Sequence, residues 1–244
     1  MKAVFLLLSL LLTHSVFAET PLSAKRDPLI DSSIYENETV SDKASLEFAS
    51  TAQGSAIYYN EEGLPHPTIW SQENLNSGFS KIQERFIKWE RQPDFLRKIF
   101  WLYPDDGCFA RAALANGFLE QSGFTTPKTV FAFGNLSLKT ENTPDGVASW
   151  WFHVAPIVEV DGARYVLDPA VNPEGPILLK EWLDKIGTPE KIRVAICGSG
   201  TYSPSSPCNY QRVYNPGAET KNHYLDEEWD QLKEIGKDPS VILQ

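Results

Sequence analysis

Apolar residues recur along this chain with two different periods. In the first half they follow a helical spacing, with charged residues between them, at four positions: Phe79, Ile82, Phe86 and Trp89. This period predicts a helix from about residue 77 onward. Pro93 interrupts the pattern, and the apolar residues within 95–102 predict a second, short helix that ends near Pro104.

The next predicted helix differs because its interior is small. It begins around Gly107 and Cys108 and ends at Ser122, where Gly123 suits the left-handed position that often follows a helix. Its small residues are Ala110, Ala112, Ala113, Ala115 and Gly117. Because small side chains let other elements approach closely, we expect this helix to be central and to pack against a sheet.

After residue 123 the pattern changes to segments rich in valine, isoleucine and aromatic residues, which are typical of strands. These segments are 128–134, 150–160, 163–167 and 192–197, and a last helix is predicted from residue 226 to about 235. Since the helices gather early and the strands late, their order predicts an α+β fold with an antiparallel sheet and not alternating βαβ units.

One turn fixes the register of two of these strands. Asp161-Gly162 is a strong signal for a two-residue hairpin turn. Counting outward from it places Ala155 opposite Asp168. Because side chains alternate between faces, His153 lies on the same face as Asp168 and diagonal to it, within reach of a hydrogen bond, unless a bulge intervenes.

The start of the chain has a pattern of its own. Lys2 precedes an apolar run that ends in a small-residue cleavage site at Ala18, so residues 1–18 are predicted to be a secretory signal. Residues 19–70 are polar and irregular apart from a short strand expected at 57–59, and we interpret them as an N-terminal arm or a pro-region. Residues 71–244 are then expected to form one domain.

Composition narrows the kinds of partner. The formal net charge is −10, and the lysines and arginines are scattered with no basic stripe, which argues against nucleic acid and anionic membranes as partners. No stretch other than the signal could cross a bilayer. We therefore expect a secreted or periplasmic protein that has no membrane contact once the signal is removed.

Three cysteines are an odd number for an exported protein. Cys197 and Cys208 flank a loop rich in glycine, serine and proline, and we predict a disulfide between them. Cys108 is then the free thiol, either a reactive nucleophile or a buried, inert side chain. The chain has no spacing of metal ligands and no phosphate-binding glycine loop, so neither a metal nor a cofactor is predicted.

A thiol, an imidazole and a carboxylate occur in the order Cys108, His153 and Asp168, and these are the parts of a nucleophilic site. Backbone N–H groups at a helix start stabilise a thiolate and can also receive an oxyanion. Asp105 and Asp106 would oppose the thiolate unless they cap the helix and point away. The alternative interpretation of His153 is a chance histidine in a strand.

Three motifs resemble those of the bacterial protein-glutaminase family: Tyr103-Pro-Asp-Asp-Gly-Cys108 with the following Arg111, Trp150-Trp-Phe-His153-Val-Ala-Pro156, and Leu167-Asp168-Pro169. Members of that family are secreted enzymes that deamidate glutamine side chains in proteins. Their fold resembles the papain-like core of transglutaminases. The resemblance covers about residues 95–175, and the C-terminal third is not matched beyond its general character.

The resemblance implies roles for the three candidate residues. Cys108 would be the nucleophile, His153 the general acid and base, and Asp168 the carboxylate that orients the imidazole. It also implies a papain-like or transglutaminase-like core in which the central helix carries the nucleophile, a catalytic domain over 71–244, no cofactor, and protein or peptide substrates with exposed glutamine.

Other functions use the same residues. In a transglutaminase, a lysine amine replaces water as the acceptor of the acyl group. A cysteine peptidase usually has a longer separation between its cysteine and histidine than Cys108 and His153 have here. A secreted binding module with an inactive triad is the alternative outside enzymes, and the reactivity of the Cys108 thiol would separate it from the others.

Overall fold

The computed structural model describes residues 50–84, 86–89, 92–98, 101, 106–211 and 218–239. The predicted signal at 1–18 and the arm up to residue 49 lie outside these residues and stay predictions. Within the described residues, no helix has the length and apolar character that a membrane span requires.

Five α-helices and nine strands make up the described fold. The helices are α1 (Ala52–Ser55), α2 (Gln72–Gln83), α3 (Cys108–Gln121), α4 (Leu179–Ile186) and α5 (Ala218–Glu234). The strands are β1 (Ile57–Tyr58), β2 (Thr68–Ile69), β3 (Phe86–Trp89), β4 (Gln92–Lys98), β5 (Lys128–Lys139), β6 (Val147–Val160), β7 (Ala163–Val166), β8 (Ile177–Leu178) and β9 (Arg193–Cys197). Two short 3-10 helices, Glu61–Gly63 and Pro189–Lys191, complete the elements.

Seven of the strands form one sheet, in the order β1-β9-β5-β6-β7-β8, with β2 paired to the end of β6. All of its neighbours are antiparallel except β2 and β6, which run parallel. The helix that begins at Cys108 packs against β6. The predicted α+β class, with the helix that begins at Cys108 packed on an antiparallel sheet, is confirmed.

The two faces of the sheet are covered by helices of different character. On one face, the alanines of α3 are almost fully buried, as the small-residue pattern predicts. On the other face, α4 is amphipathic and buries four apolar side chains: Leu179, Trp182, Leu183 and Ile186. Their spacing places them on one side of the helix, and each buried side chain of this kind stabilises the fold by about 1.5–3 kcal/mol.

The predicted hairpin between β6 and β7 is confirmed. Asp161 and Gly162 both have positive φ, 51° and 82°, as a two-residue turn of this type requires. The pairing starts at Val160 with Ala163 and continues to Ile157 with Val166. This is the register that places His153 and Asp168 on one face.

The segment after α2 was expected to be helical and is not. The helix predicted from about residue 77 is present up to Gln83. Its continuation to residue 89 is wrong, and so is the predicted helix at 95–98: strands β3 and β4 lie there and pair antiparallel. Aromatic and β-branched residues such as Phe86 and Ile87 favour a pleated strand. Pro93 lies near the start of β4, a position in an edge strand that proline tolerates.

The segment assigned to an N-terminal arm is part of the folded domain from residue 51 onward. Strand β1, predicted at 57–59, pairs with β9, and β2 pairs with β6. Ala52, Leu64 and Trp70 are buried in the core. The last helix also begins earlier than predicted, at Ala218 instead of residue 226, and α4 was not predicted.

The predicted disulfide between Cys197 and Cys208 is present. It joins the end of β9 to a loop that is mostly buried. The Cys208 N–H donates to the Ser50 carbonyl at 2.9 Å, and the Ala52 N–H donates to the Ser206 carbonyl, also at 2.9 Å. The bridge therefore also holds the chain that leads into α1.

We expect the Cys197→Ser/Cys208→Ser variant to be less stable than the wild type. The bridged residues are 11 apart in sequence, and closing so short a loop contributes roughly 3 kcal/mol in the chain-entropy model. Urea unfolding at equilibrium measures the difference. The Cys108→Ser variant is the control and should lose much less stability. Non-reducing peptide mapping that found Cys108 in a bridge would contradict this assignment.

Candidate active site

Cys108 is the first residue of α3 and is partly exposed. The preceding Gly107 is the N-cap and has φ +74°, a left-handed conformation that favours glycine. Since this N-cap has no side chain, the N–H groups of the first turn are not capped by it and can face an anion. The Asp106 side chain accepts the Gly107 N–H at 2.6 Å, and Asp105 lies outside the described residues.

Two prolines end the pairing between β6 and the chain that follows β7. The Leu167 N–H donates to the Pro156 carbonyl at 2.9 Å, but Pro156 has no N–H to return the bond. Continued in the same register, the next hydrogen-bonded pair would involve Pro169, which has no N–H either. The chain therefore turns away after Asp168, beside the part of β6 that carries His153.

His153 and Asp168 form the hydrogen bond that the register predicts. His153 Nε2 lies 2.8 Å from Asp168 Oδ2, and the two residues are only 1% and 3% exposed. Trp182 Nε1 donates to the same carboxylate oxygen at 2.9 Å, and the Ala170 N–H donates to the other oxygen at 3.2 Å. The carboxylate is thus fully inside the protein and held on both oxygens.

Each member of the pair favours the charged form of the other. Burial alone would lower the pKa of His153, but the charge and hydrogen bond of Asp168, and then Cys108, raise it from 6.5 to about 9. Burial would raise the pKa of Asp168, and this effect is outweighed by His153, followed by Trp182 and Arg111, so that its pKa lies below the ordinary value. Near neutral pH an imidazolium therefore faces a carboxylate.

The second ring nitrogen of His153 is buried. Nδ1 has no hydrogen-bond partner in the described structure. Cys108 is among the side chains that raise the pKa of His153. Asp168 thus holds Nε2, and Nδ1 is the ring nitrogen that remains available to a reacting group.

A bulge brings a tryptophan onto the imidazole. Strict alternation would place Trp150 and His153 on opposite faces of β6, yet their rings stack at 4.7 Å with 16° between the planes. The register of β5 and β6 shifts between Phe133 and Leu136. Gly134 lies in this shift with φ +154°, where a side chain would be strained.

The three consecutive aromatic residues before His153 are therefore divided between two places. Trp150 covers His153, while Phe152 packs in an apolar cluster with Cys108 and Tyr224. Trp151 is 43% exposed and contacts Phe152 edge-on, with 4.7 Å between ring centroids. The thiol lies on the Phe152 side of this arrangement.

The structure adds three residues to the site, none of which was assigned a role from the sequence. Trp182 bonds to Asp168 and stacks on His153 at 5.6 Å. Arg111, noted only as part of a motif, forms a buried ion pair with Glu228 of α5. An arginine in an alanine-rich, buried helix was a usable signal for a buried partner, but nothing in the sequence identifies Glu228 as that partner.

The other described histidines are on the surface. His66 pairs with Glu159 at 2.8 Å and its side chain is 80% exposed. His223 lies within α5, 3.5 Å from Glu227. Within the residues that the structure describes, no group of three or more His, Cys, Asp or Glu side chains is arranged to hold a metal ion.

We expect Asp168→Asn to lower the pKa of His153 from about 9 to below its ordinary value, because burial then acts without the carboxylate. Two-dimensional NMR of the imidazole nitrogens measures this titration. Asp184→Asn is the matched control, since Asp184 is an exposed carboxylate paired with Lys180. An unchanged His153 titration in Asp168→Asn would contradict the coupling.

The coupling between His153 and Asp168 also makes the free energy of unfolding depend on pH. The folded-state pKa of His153 lies above the unfolded value of 6.5, so its contribution is complete below that pH and is lost as the pH rises through about 9. The free energy of unfolding should fall over this interval in the wild type and in Asp184→Asn. In Asp168→Asn the fall should be absent.

Comparison with known proteins gives a family match and structural likenesses. The NMR structure of protein-glutaminase from Chryseobacterium proteolyticum is 22% identical, with a TM-score of 0.49 over 65% of this chain and 87% of that one. A crystal structure of protein-glutaminase is 21% identical, with a TM-score of 0.48 over 66% and 89% of the two chains. A crystal structure of pro-protein-glutaminase is 21% identical, with a TM-score of 0.48, and the match covers 70% of this chain and 61% of that chain.

The family match rests on sequence and falls on the site. No curated protein shows significant similarity to the chain. A family model described as glutaminase matches residues 75–186, and this segment contains Cys108, Arg111, His153, Asp168 and Trp182. The resemblance to a glutaminase family that the sequence motifs predict is therefore confirmed over residues 75–186.

Proposed function

We propose that this protein is a secreted protein-glutamine deamidase, which hydrolyses glutamine side-chain amides in proteins to glutamate and releases ammonia. The observation that carries the proposal is the buried hydrogen bond between His153 and Asp168, together with a free thiol at the start of α3. It lies within the segment that the glutaminase family model matches. Cys108, His153 and Asp168 are the residues to which we assign the chemistry.

In the first half of the reaction, the Cys108 thiolate attacks the carboxamide carbon of the substrate and forms a tetrahedral intermediate. The first-turn N–H groups of α3 receive its oxyanion, because the Gly107 N-cap leaves them without a capping side chain. His153 gives its Nδ1 proton to the departing nitrogen. The carbon–nitrogen bond breaks, ammonia leaves and a thioester remains on Cys108.

In the second half, the now neutral His153 takes a proton from water through Nδ1. The hydroxide attacks the thioester carbon, the bond to Cys108 breaks, and glutamate leaves with the thiolate restored. Asp168 remains ionised throughout and stabilises the imidazolium. Trp182 supports this role because its indole N–H holds the same carboxylate oxygen that His153 uses.

The surroundings of the thiol suit an uncharged side chain. Apart from the Arg111–Glu228 pair behind Gly107, Cys108 packs against an apolar cluster that includes Phe109, and Phe152 and Tyr224 pack against the same cluster. A glutamine carboxamide with its methylene groups can lie against such a surface. The paired charges of a free amino acid would be costly to bury there without partners.

Export agrees with two features of the chain. Residues 1–18 have the pattern of a secretory signal, and the Cys197–Cys208 disulfide suits an oxidising compartment. Cys108 is not bridged, which leaves its thiol available for the reaction. We place the enzyme outside the cytoplasm, in the periplasm or the medium.

Peptide mass spectrometry of a glutamine-rich protein tests the proposed reaction. Incubation with the wild type should convert exposed glutamines to glutamates with release of ammonia, both with and without an added amine donor. Cys108→Ala should fold normally, as seen by circular dichroism, and give no conversion, because no thioester can form. Cross-links in place of deamidation would indicate a transglutaminase, and activity in a folded Cys108→Ala would remove the proposed nucleophile.

We expect the enzyme to act on glutamine within polypeptides and poorly on free glutamine or on asparagine. Asparagine is one methylene shorter, and one methylene in an apolar site gives about 10–200-fold discrimination. Ammonia release from a blocked glutamine dipeptide, its asparagine analogue and free glutamine measures the preference. Equal rates on free and blocked glutamine would instead indicate a metabolic glutaminase.

A further inference from the structure

A buried ion pair lies at the start of α3, next to Gly107, the residue before the proposed nucleophile. Arg111, one turn after Cys108 in α3, donates from Nη1 to Oε1 of Glu228 in α5, and their side chains are 2% and 1% exposed. Burying two charges carries a desolvation penalty that their attraction often fails to recover. Such a pair is therefore weak as a device for stability alone, and its position suggests another role.

The pair reaches the residue that precedes the thiol. A Cβ added at Gly107 would lie 2.6 Å from Oε1 of Glu228 and 3.4 Å from Nη1 of Arg111. The left-handed conformation of Gly107 and its lack of a side chain thus allow the carboxylate to approach the backbone at the start of α3. The Arg111 N–H donates to the Gly107 carbonyl at 3.0 Å, so the same two residues also close the first turn.

The C-terminal helix is fixed at this place by a second contact. Tyr224 packs edge-on against Phe109, with 4.7 Å between ring centroids and 89° between the planes. Tyr224 and Glu228 are four residues apart and hence on one face of α5. That face therefore lies over the first turn of α3, where Cys108 begins the helix.

The charge of Arg111 acts on both ends of the proposed triad. Burial would lower the pKa of Arg111, and the charges of Glu228, Cys108 and Asp168 raise it above its ordinary value. In return, Arg111 contributes to the lowered pKa of Asp168.

We propose that Arg111 and Glu228 are positioning residues for the nucleophile: Glu228 braces Gly107 from α5, and Arg111 places a positive charge beside Cys108. In this role neither Arg111 nor Glu228 contacts the substrate. The role in turnover rests on the proposed function, whereas the effect on the thiol does not depend on it. In the proposed reaction, the group that Arg111 and Glu228 position is the Cys108 thiolate, which attacks an uncharged carboxamide.

The test removes the pair without leaving a buried charge. In Arg111→Met/Glu228→Leu both partners become apolar side chains of similar length, an exchange that buried ion pairs often tolerate in folding. Arg111→Lys keeps the charge but loses the planar fork. Glu234→Gln is the control, since Glu234 is an exposed carboxylate on the same helix.

Three measurements are made on each full-length variant: thermal unfolding, the rate of Cys108 alkylation by iodoacetamide near neutral pH, and kcat and KM for deamidation. The double variant should fold, yet its alkylation and its kcat should each fall about tenfold or more, because the guanidinium one turn from Cys108 and the support of Gly107 by Glu228 are both lost, and a small misplacement of a reacting group slows a reaction steeply. KM should change little. Arg111→Lys should recover part of both rates, and Glu234→Gln should match the wild type.

Each other outcome overturns the proposal. A folded double variant that alkylates and turns over like the wild type would show that the pair does nothing for the thiol. A double variant that fails to fold would make the pair a requirement of the fold, and Arg111→Lys with no recovery would remove the role of the charge. Since alkylation needs no substrate, it reports on the pair even if the chain proves not to be a deamidase.

Discussion

The ionised carboxylate of Asp168 is the constraint on which the rest of the site depends. A buried charge is costly unless it is paired and hydrogen-bonded, and Asp168 is 3% exposed. Three separate parts of the fold meet this need: His153 from β6, Trp182 from α4, and the charge of Arg111 from α3. The carboxylate thereby links α4 to the sheet at one point.

Local patterns were sufficient for the part of the site that lies on one hairpin. The turn at Asp161-Gly162 fixes φ and register through the chemistry of two residues, so the bond between His153 and Asp168 followed from counting. The start of α3 at Cys108 was also readable, because a glycine turn leads into a run of alanines. In both cases the determining interactions span few residues.

The features that could not be predicted from the sequence depend on contacts between residues far apart in the chain. Helical spacing was a poor guide beyond Gln83, because Phe86 and Ile87 suit a strand equally well and pairing with β4 decides between the two. The stacking of Trp150 on His153 needs the bulge at Gly134, which reverses a strict alternation. Glu228 and Arg111 are 117 positions apart in the sequence, and a local pattern of apolar and polar residues cannot predict a contact over that distance.

The residues of the three motifs are linked by backbone geometry as much as by side-chain chemistry. Gly107 must be left-handed and bare for the carboxylate of Glu228 to approach, and Pro156 and Pro169 must lack N–H groups for β7 to separate from β6 beside His153. Replacing any of these would leave the thiol, the imidazole and the carboxylate in the sequence but alter where they point. The neighbours of the reactive residues within each motif therefore carry as much of its specificity as Cys108, His153 and Asp168 themselves.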